Sequence, residues 1–443
     1  MRAEAVPSRL YSRGIETVKS AHMRRGGGCL ASRSDRAGMS GTSGHATREA
    51  DATFALLLRL CALAARHGAP DVAAPAGRVD WKAFIRLVER HRVPGIVHLA
   101  LGRLAGDAAD EIPGHVRQFV AEKAGVLARN NLAMVAATIR LQKMFDAAGI
   151  EAVFFKGALV GQRAYGSVAV KHGKDIDFLV RPDDLPAMFA CLAGEGYRPV
   201  FPKAPLTPAR INALRAFQME AILVDPARGV QLEPHWRLTE NRRLLPLAPL
   251  LAATGKRESL GGVSVRGFHP DDEFAYLCVH GARSGWFRLK WLADLHALLA
   301  GLPEEERLRL YRHAQARGAG PAALLAFDLC RELLGLPVPA ALTRPVEAPL
   351  QRAMRRLCLA SLGAAKPQFA LRQVVLLPML HALACGPGHV GTEILRWTVN
   401  CQDALDMPLP RRLYFLYPLL RVPLWFGRLL GGKGLLRRKV ARD

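Results

Sequence analysis

Over the first stretch of the chain the hydrophobic positions follow no period. Residues 1–50 are rich in Arg, Gly, Ser and Ala. Such a composition buries too little apolar surface to offset chain entropy, so the segment is expected to be a disordered basic extension. Met39 is a second candidate for the start. From Ala52 to about Ala148 the apolar positions recur at helical spacing. Phe54, Leu57, Leu58, Leu60 and Cys61 form one set, Trp81, Phe84, Ile85 and Val88 another, and Leu132 to Phe145 a long amphipathic run. Asp80 fits an N-cap ahead of the second set.

The period changes at Gly149. Ile150 to Phe155 is a short β-branched and aromatic run, which predicts a strand, ended by Lys156-Gly157. A helix to about Tyr165 follows. Asp175 to Val180 predicts a second strand, and Pro182-Asp183-Asp184 opens a helix running to about Glu195. Tyr197 to Phe201 reads as an edge strand. Phe217 to Val224 and Val230 to Trp236 read as two strands joined by a turn at Asp225 to Gly229. Helices return from Leu244, with Asp271-Asp272-Glu273 opening one and Trp291 to Leu299 forming another. The expected fold is α+β: a small mixed sheet embedded in a mostly helical chain. Five segments follow: 1–50, an extension; 51–148, helical; 149–243, the mixed core; 244–365, helical; and 366–443, a helical or irregular basic and aromatic tail.

With 443 residues, half of them hydrophobic, the chain can bury a large core. Its formal net charge of +24 favours an anionic partner, be it nucleotide, nucleic acid or acidic membrane. Part of the excess is Arg in an Ala- and Gly-rich background, as a GC-rich bacterial genome would give. The eight cysteines are scattered without a Cys-x-x-Cys pair, which reads as buried thiols in a reducing cytoplasm and gives no support to a zinc site. No signal-peptide pattern and no run of 18 uncharged apolar residues is present.

Chemistry concentrates on the second predicted strand. Asp175 and Asp177 are two apart, so their carboxylates share one face. Two carboxylates that close repel unless a cation lies between them. Magnesium or manganese suits the pair, bound through carboxylates, phosphates and water. Lys156-Gly157 ends the preceding strand directly before a helix, whose N-terminus and glycine backbone suit phosphate. Gln231, Glu233 and His235 share a face of the later strand. Glu233 would complete the acid set as metal ligand or general base, and His235 would contact phosphate or orient Glu233. Glu220 is the competing third acid. Lys171 and Lys174, just before the metal strand, can neutralise phosphate charge or stay solvated.

These residues resemble the uncharacterised nucleotidyltransferase family of the polymerase-beta-like superfamily. The likeness rests on Lys156-Gly157, Tyr165, Asp175-Ile176-Asp177, Glu233 with His235-Trp236, and the later His280, Trp291 and Asp294. It runs from about Val153 to Leu299. The chain departs from the pattern at Ala158, where the superfamily has Ser or Gly, and at Lys171, where the family often has Arg.

The resemblance implies transfer of a nucleoside monophosphate from an NTP to an acceptor hydroxyl or phosphate, with Mg2+ or Mn2+. It leaves the acceptor unnamed; a polysaccharide precursor or a protein would fit. Two other readings stay open: a non-catalytic nucleotide sensor or scaffold on this fold, and a basic nucleic-acid-binding protein. Nucleic-acid binding would call for aromatics interleaved with basic residues, and only the tail from Leu413 to Lys439 shows that. Tyr414, Phe415, Tyr417, Trp425 and Phe426 there stand among Arg421, Arg428, Lys433, Arg437, Arg438 and Lys439, a pattern better suited to the inner face of a membrane. Pro418, Pro423 and Arg421 argue against crossing it. The expected location is cytoplasmic, with peripheral membrane contact through the tail.

Overall fold

The computed structural model describes residues 42–65, 77–104, 111–203, 205–253, 257–363, 376–399 and 401–430. The expected disordered extension lies outside the described residues up to position 41, as do Lys433 and Arg437 to Lys439 of the tail. The first helix begins at Thr42, ten residues before the hydrophobic period sets in.

Four helices precede the sheet: α1 (Thr42–Leu63), α2 (Trp81–His91), α3 (Pro94–Leu101) and α4 (Gly114–Ala147). Asp80 caps α2 as expected, its side chain accepting from the Ala83 N–H at 3.0 Å. The 34-residue α4 serves two cores. Val116 and Val120 pack with α1 and α3, whereas Val135, Leu141 and Phe145 lie under the sheet.

The mixed region follows in the order β1 (Val153–Phe155), α5 (Gly157–Tyr165), β2 (Asp175–Leu179), α6 (Leu185–Gly194), β3 (Arg198–Phe201), α7 (Pro208–Phe217), β4 (Ile222–Asp225) and β5 (Val230–His235). The sheet order is β1-β2-β5-β4-β3, with β2 and β5 parallel and the other pairs antiparallel. One correction concerns the strand expected from Phe217. Thr207 caps a helix with Pro208 at its first turn, and Ile211 and Leu214 bury its inner face. The capping signal dominates, Phe217 ends α7, and β4 starts only at Ile222.

After α8 (Leu247–Ala253) comes a hairpin, β6 (Arg257–Leu260) and β7 (Val263–Arg266), that the helical expectation missed. Its turn, Gly261-Gly262, has φ of 58° and 79°, the left-handed pair that two-residue hairpins need. Helices α9 (Pro270–Arg283), α10 (Leu289–Leu299), α11 (Glu304–Ala316), α12 (Gly320–Leu334) and α13 (Pro349–Gly363) then form a bundle, in which α10 and α12 pack on α1. Leu57 and Leu60 therefore share a core with Leu292 and Phe327.

The sheet lies between the two cores. Phe154, Ile176, Phe178, Leu223 and Leu232 face α4, α6 and α7. Val153, Phe155 and Leu179 face the helical core. The last described helices are α14 (Leu377–Cys385), α15 (Pro387–Thr398), α16 (Cys401–Asp406) and α17 (Tyr417–Leu430). Tyr417 is fully buried against Phe217 and hydrogen-bonds the Met407 carbonyl, so this aromatic of the tail docks on the sheet domain. Phe415, Leu419 and Val422 stay exposed. Among the described residues no helix is long and apolar enough to cross a membrane.

Candidate functional site

The parallel pairing of β2 and β5 sets Asp175 opposite Gln231, Asp177 opposite Glu233 and Leu179 opposite His235. Partners in register point to the same face, so the polar alternation of both strands merges into one stripe on the face turned to the helical core. Ile176 and Phe178 occupy the other face.

Asp177 is buried at the centre of the stripe. Its Oδ1 accepts from Lys156 Nζ at 2.7 Å and lies 3.2 Å from His235 Nε2. Burial opposes its charge, but Lys156 and His235 outweigh burial and hold the carboxyl below its usual range. Glu233 shifts the other way. Burial, then Asp175 and Asp177, push it well above the ordinary carboxylate value. Gln231 Nε2 donates to its Oε1 at 2.8 Å. Ligand atoms of Asp177, Glu233 and His235 come within 4.8 Å of one another. Asp175 is half-buried at the start of β2, two residues before Asp177, and lies outside that group. Glu220, on the segment before β4, faces His235 instead, its Oε2 3.5 Å from Nδ1.

Lys156 and Gly157 form a sharp elbow between β1 and α5. Lys156 has φ 58° and ψ −143°, and Gly157 has φ 43°. A left-handed backbone at lysine is costly and persists only when its surroundings enforce it. Here Glu273 enforces it: its Oε1 accepts the Lys156 N–H at 2.8 Å. Glu273 is buried and raised by burial, while the guanidinium of Arg163, paired to its other oxygen, pulls it down. Arg163 is fixed in turn by Glu258 of the hairpin and donates to the Phe268 carbonyl at 2.7 Å. The elbow also leaves the first amides of α5 without a side-chain cap, free to face an anion. Lys156 Nζ lies 5.1 Å from the Tyr276 ring centroid and 5.4 Å from that of Phe155. Burial works against its charge, yet Asp177 first, then Tyr276, Glu233 and Asp175, raise its pKa well above the usual lysine value.

Lys171 is buried, with Nζ 3.4 Å from Asp294 Oδ2, and Tyr165 donates to the other oxygen of Asp294 at 3.0 Å. Lys171 therefore ties the loop before β2 to α10, and reaching a phosphate would require breaking that pair. Lys174 is exposed. His280 packs edge-on against Trp291 at 5.4 Å, so His280, Trp291 and Asp294 brace the site from the helical side.

Several supports lie outside any motif. Asn131 of α4 donates from Nδ2 to the carbonyls of Val168, Ala169 and Lys171 at 2.9, 3.1 and 2.8 Å, fixing the loop that delivers Asp175. Lys290 donates to the His172 carbonyl at 3.3 Å and is pushed down to about 7, by burial first and then by Lys171 and Arg92. Asp271, Asp272 and Glu273 are not merely helix-opening acids. All three are buried, Asp271 by Arg309 and Asp272 by His313 and Arg317. The signal that could have singled them out is three consecutive acids in a chain this basic.

Residues 77–335, more than half of the chain, match the model of an uncharacterised nucleotidyltransferase family. The chain belongs to that family. No curated protein matches the chain. The family span takes in every residue of the acid stripe, the elbow and its Arg163–Glu273 brace. It ends at the close of α12, so α13 to α17, with the aromatic tail, lie beyond it.

Proposed function

We propose that this nucleotidyltransferase moves a nucleoside monophosphate from an NTP to an acceptor hydroxyl or phosphate, using Mg2+ or Mn2+. The observation that supports this reading is the register of β2 and β5, which sets Asp175, Asp177 and Glu233 on one face of the sheet, with Asp175 and Asp177 also lining the cavity at the uncapped start of α5. The donor set fits a hard divalent cation: carboxylate oxygens, with an imidazole nitrogen that manganese accepts readily. A cation held there would supply the Lewis acid that polarises the α-phosphate.

The remaining work falls to the protein. The amides of Gly157 and Ala158, with the Lys156 ammonium, bind and orient the triphosphate. Their role does not require the serine hydroxyl missing at Ala158. The acceptor oxygen bonds to the α-phosphorus as the bond to the bridging oxygen breaks, and pyrophosphate leaves with that electron pair. Glu233, opposite Asp177 on the neighbouring strand, would help hold the cation or, ionised beside it, take the acceptor's proton when a hydroxyl attacks. The test is transfer of label from an α-32P NTP, with Mg2+ or Mn2+, to components of a cell extract. Label that stays wholly in NTP under every NTP and metal tried would favour the sensor reading.

Lys156 has two assignable duties, and one substitution separates them. If it binds phosphate, Lys156→Ala should weaken NTP affinity by about 1.5–3 kcal/mol, the range for a hydrogen bond to a charged group. If it only neutralises Asp177, NTP affinity should stay unchanged while metal affinity rises, because the competing ammonium is gone. We expect the first result by calorimetric titration.

A further inference from the structure

A second cavity lies beside the loop that leads into β2. It is a cleft of about 410 Å³ at the end of the sheet where β2 and β5 begin. Met134 of α4 lines both this cleft and the narrow cavity under the Lys156-Gly157 elbow, so the two lie side by side. Asp175 lines the narrow cavity, and its chain neighbour Lys174 lines the cleft.

The charge of the cleft is one-sided. Arg92, Lys123, Lys174 and Arg228 line it, with a His172 that burial and its basic neighbours keep neutral, against the single acid Glu89. Lys123 is matched by Glu89 at 2.9 Å, and Arg228 by Asp225 at 2.8 Å. Arg92 and Lys174 have no carboxylate within ion-pair distance among the described residues. Arg92 is also the left-handed cap of α2, with φ 57°, and is half-buried. Burial disfavours the Arg92 charge more than Asp175, which lies beyond ion-pair distance, favours it, so the guanidinium would gain from an anion bound in the cleft. The volume suits a small-molecule group.

We propose that this cleft holds the phosphate groups of the acceptor, so that the acceptor is a phosphorylated molecule. The proposal rests on the nucleotidyl-transfer reading. With the triphosphate at the elbow, in-line displacement places the attacking oxygen on the opposite side of the α-phosphorus from the departing pyrophosphate. The cleft borders the elbow cavity at Met134 and lies next to Asp175 through Lys174, and it supplies the positive charge that a phosphorylated acceptor needs.

The test uses inorganic pyrophosphate as the probe, titrated into the full chain with Mg2+ and a saturating non-hydrolysable NTP analogue. Arg92→Gln/Lys174→Gln should weaken pyrophosphate binding at least about tenfold, as loss of charge-assisted hydrogen bonds implies. Lys174→Gln alone, at an exposed position that does not endanger folding, should weaken it measurably, and Arg92→Lys should retain most of it. Affinity for the analogue itself should change less than about twofold, well below what one such bond contributes. Unchanged pyrophosphate binding in both Gln variants would overturn the proposal. An equal loss of analogue affinity would overturn it too, by assigning the cleft to the donor triphosphate. Failure of the analogue to bind the wild-type chain would sink the nucleotidyl-transfer reading itself, and is told apart by its own titration.

Discussion

Asp175→Asn should lower nucleotidyl transfer by about three orders of magnitude, some 4 kcal/mol in the barrier, with the fold intact. Asn nearly matches Asp in shape but cannot balance a divalent charge. Asp175 is half-buried and makes no ion pair among the described residues; it favours the charges of Arg92 and Lys156 only from beyond ion-pair distance, so the substitution should cost little stability. Asp177→Asn should abolish transfer equally, but with a cost in stability that the bare strand pattern does not reveal. Asp177 neutralises a Lys156 that is only 15% exposed, and its loss leaves that ammonium without its nearest carboxylate. Pairing Asp177→Asn with Lys156→Met separates the effects, since the double variant should regain stability without regaining activity. Steady-state transfer rates and thermal melts on the four proteins provide the check. Full turnover by Asp175→Asn would remove it from the acid set.

Arg163→Ala should destabilise the protein by about 3–5 kcal/mol, the cost of breaking a buried ion pair from one side. It leaves Glu273 buried without its guanidinium and frees Glu258. The deficit should depend on pH with a definite sign. Burial already raises Glu273 above its usual value, and removing Arg163 raises it further. A carboxyl whose folded pKa exceeds the unfolded one costs no stability below the unfolded value. It costs progressively more as pH climbs towards the folded value. The variant should therefore lie nearest to wild type in mild acid and fall furthest behind it at pH above neutrality. Denaturant melts at both ends of that window decide it; a deficit that is the same throughout would mean that Glu273 does not titrate there. Because Glu273 also holds the Lys156 N–H, the substitution should loosen the elbow and lower transfer as well.

The alternation along β2 and β5 was readable because one face of each strand had to be apolar. Ile176, Phe178 and Leu232 mark the buried side, so Asp175, Asp177 and Glu233 had to share the other. Their mutual register was not readable, because strand pairing depends on the whole sheet. The α+β class was legible for the same reason, from the switch in period at Gly149. Phe217 was misplaced because its aromatic, β-like neighbourhood hid the Thr207-Pro208 helix start. The β6–β7 hairpin was missed although Gly261-Gly262 is a turn signal, because Arg257 to Leu260 before it carries no β-branched residue to mark a strand. Glu273, Arg163 and Asn131 could not be found by spacing. They act across 117, 110 and 37 to 40 positions of sequence, and only the packed chain brings them to the elbow and the loop before β2. Lys171 stands where the family pattern has a basic residue, but its pairing with Asp294 is a property of the tertiary fold.

In the proposed reaction the stripe formed by Asp175, Asp177 and Glu233 would hold a divalent cation that serves a nucleoside triphosphate. Anomalous scattering from crystals grown with Mn2+ and a non-hydrolysable NTP analogue tests it most directly. The expected map has a manganese peak within coordination distance of Asp177 and Glu233, with the triphosphate against the Gly157 and Ala158 amides. A triphosphate bound elsewhere, or an acid stripe that stays free of manganese while nucleotide is bound, would contradict it.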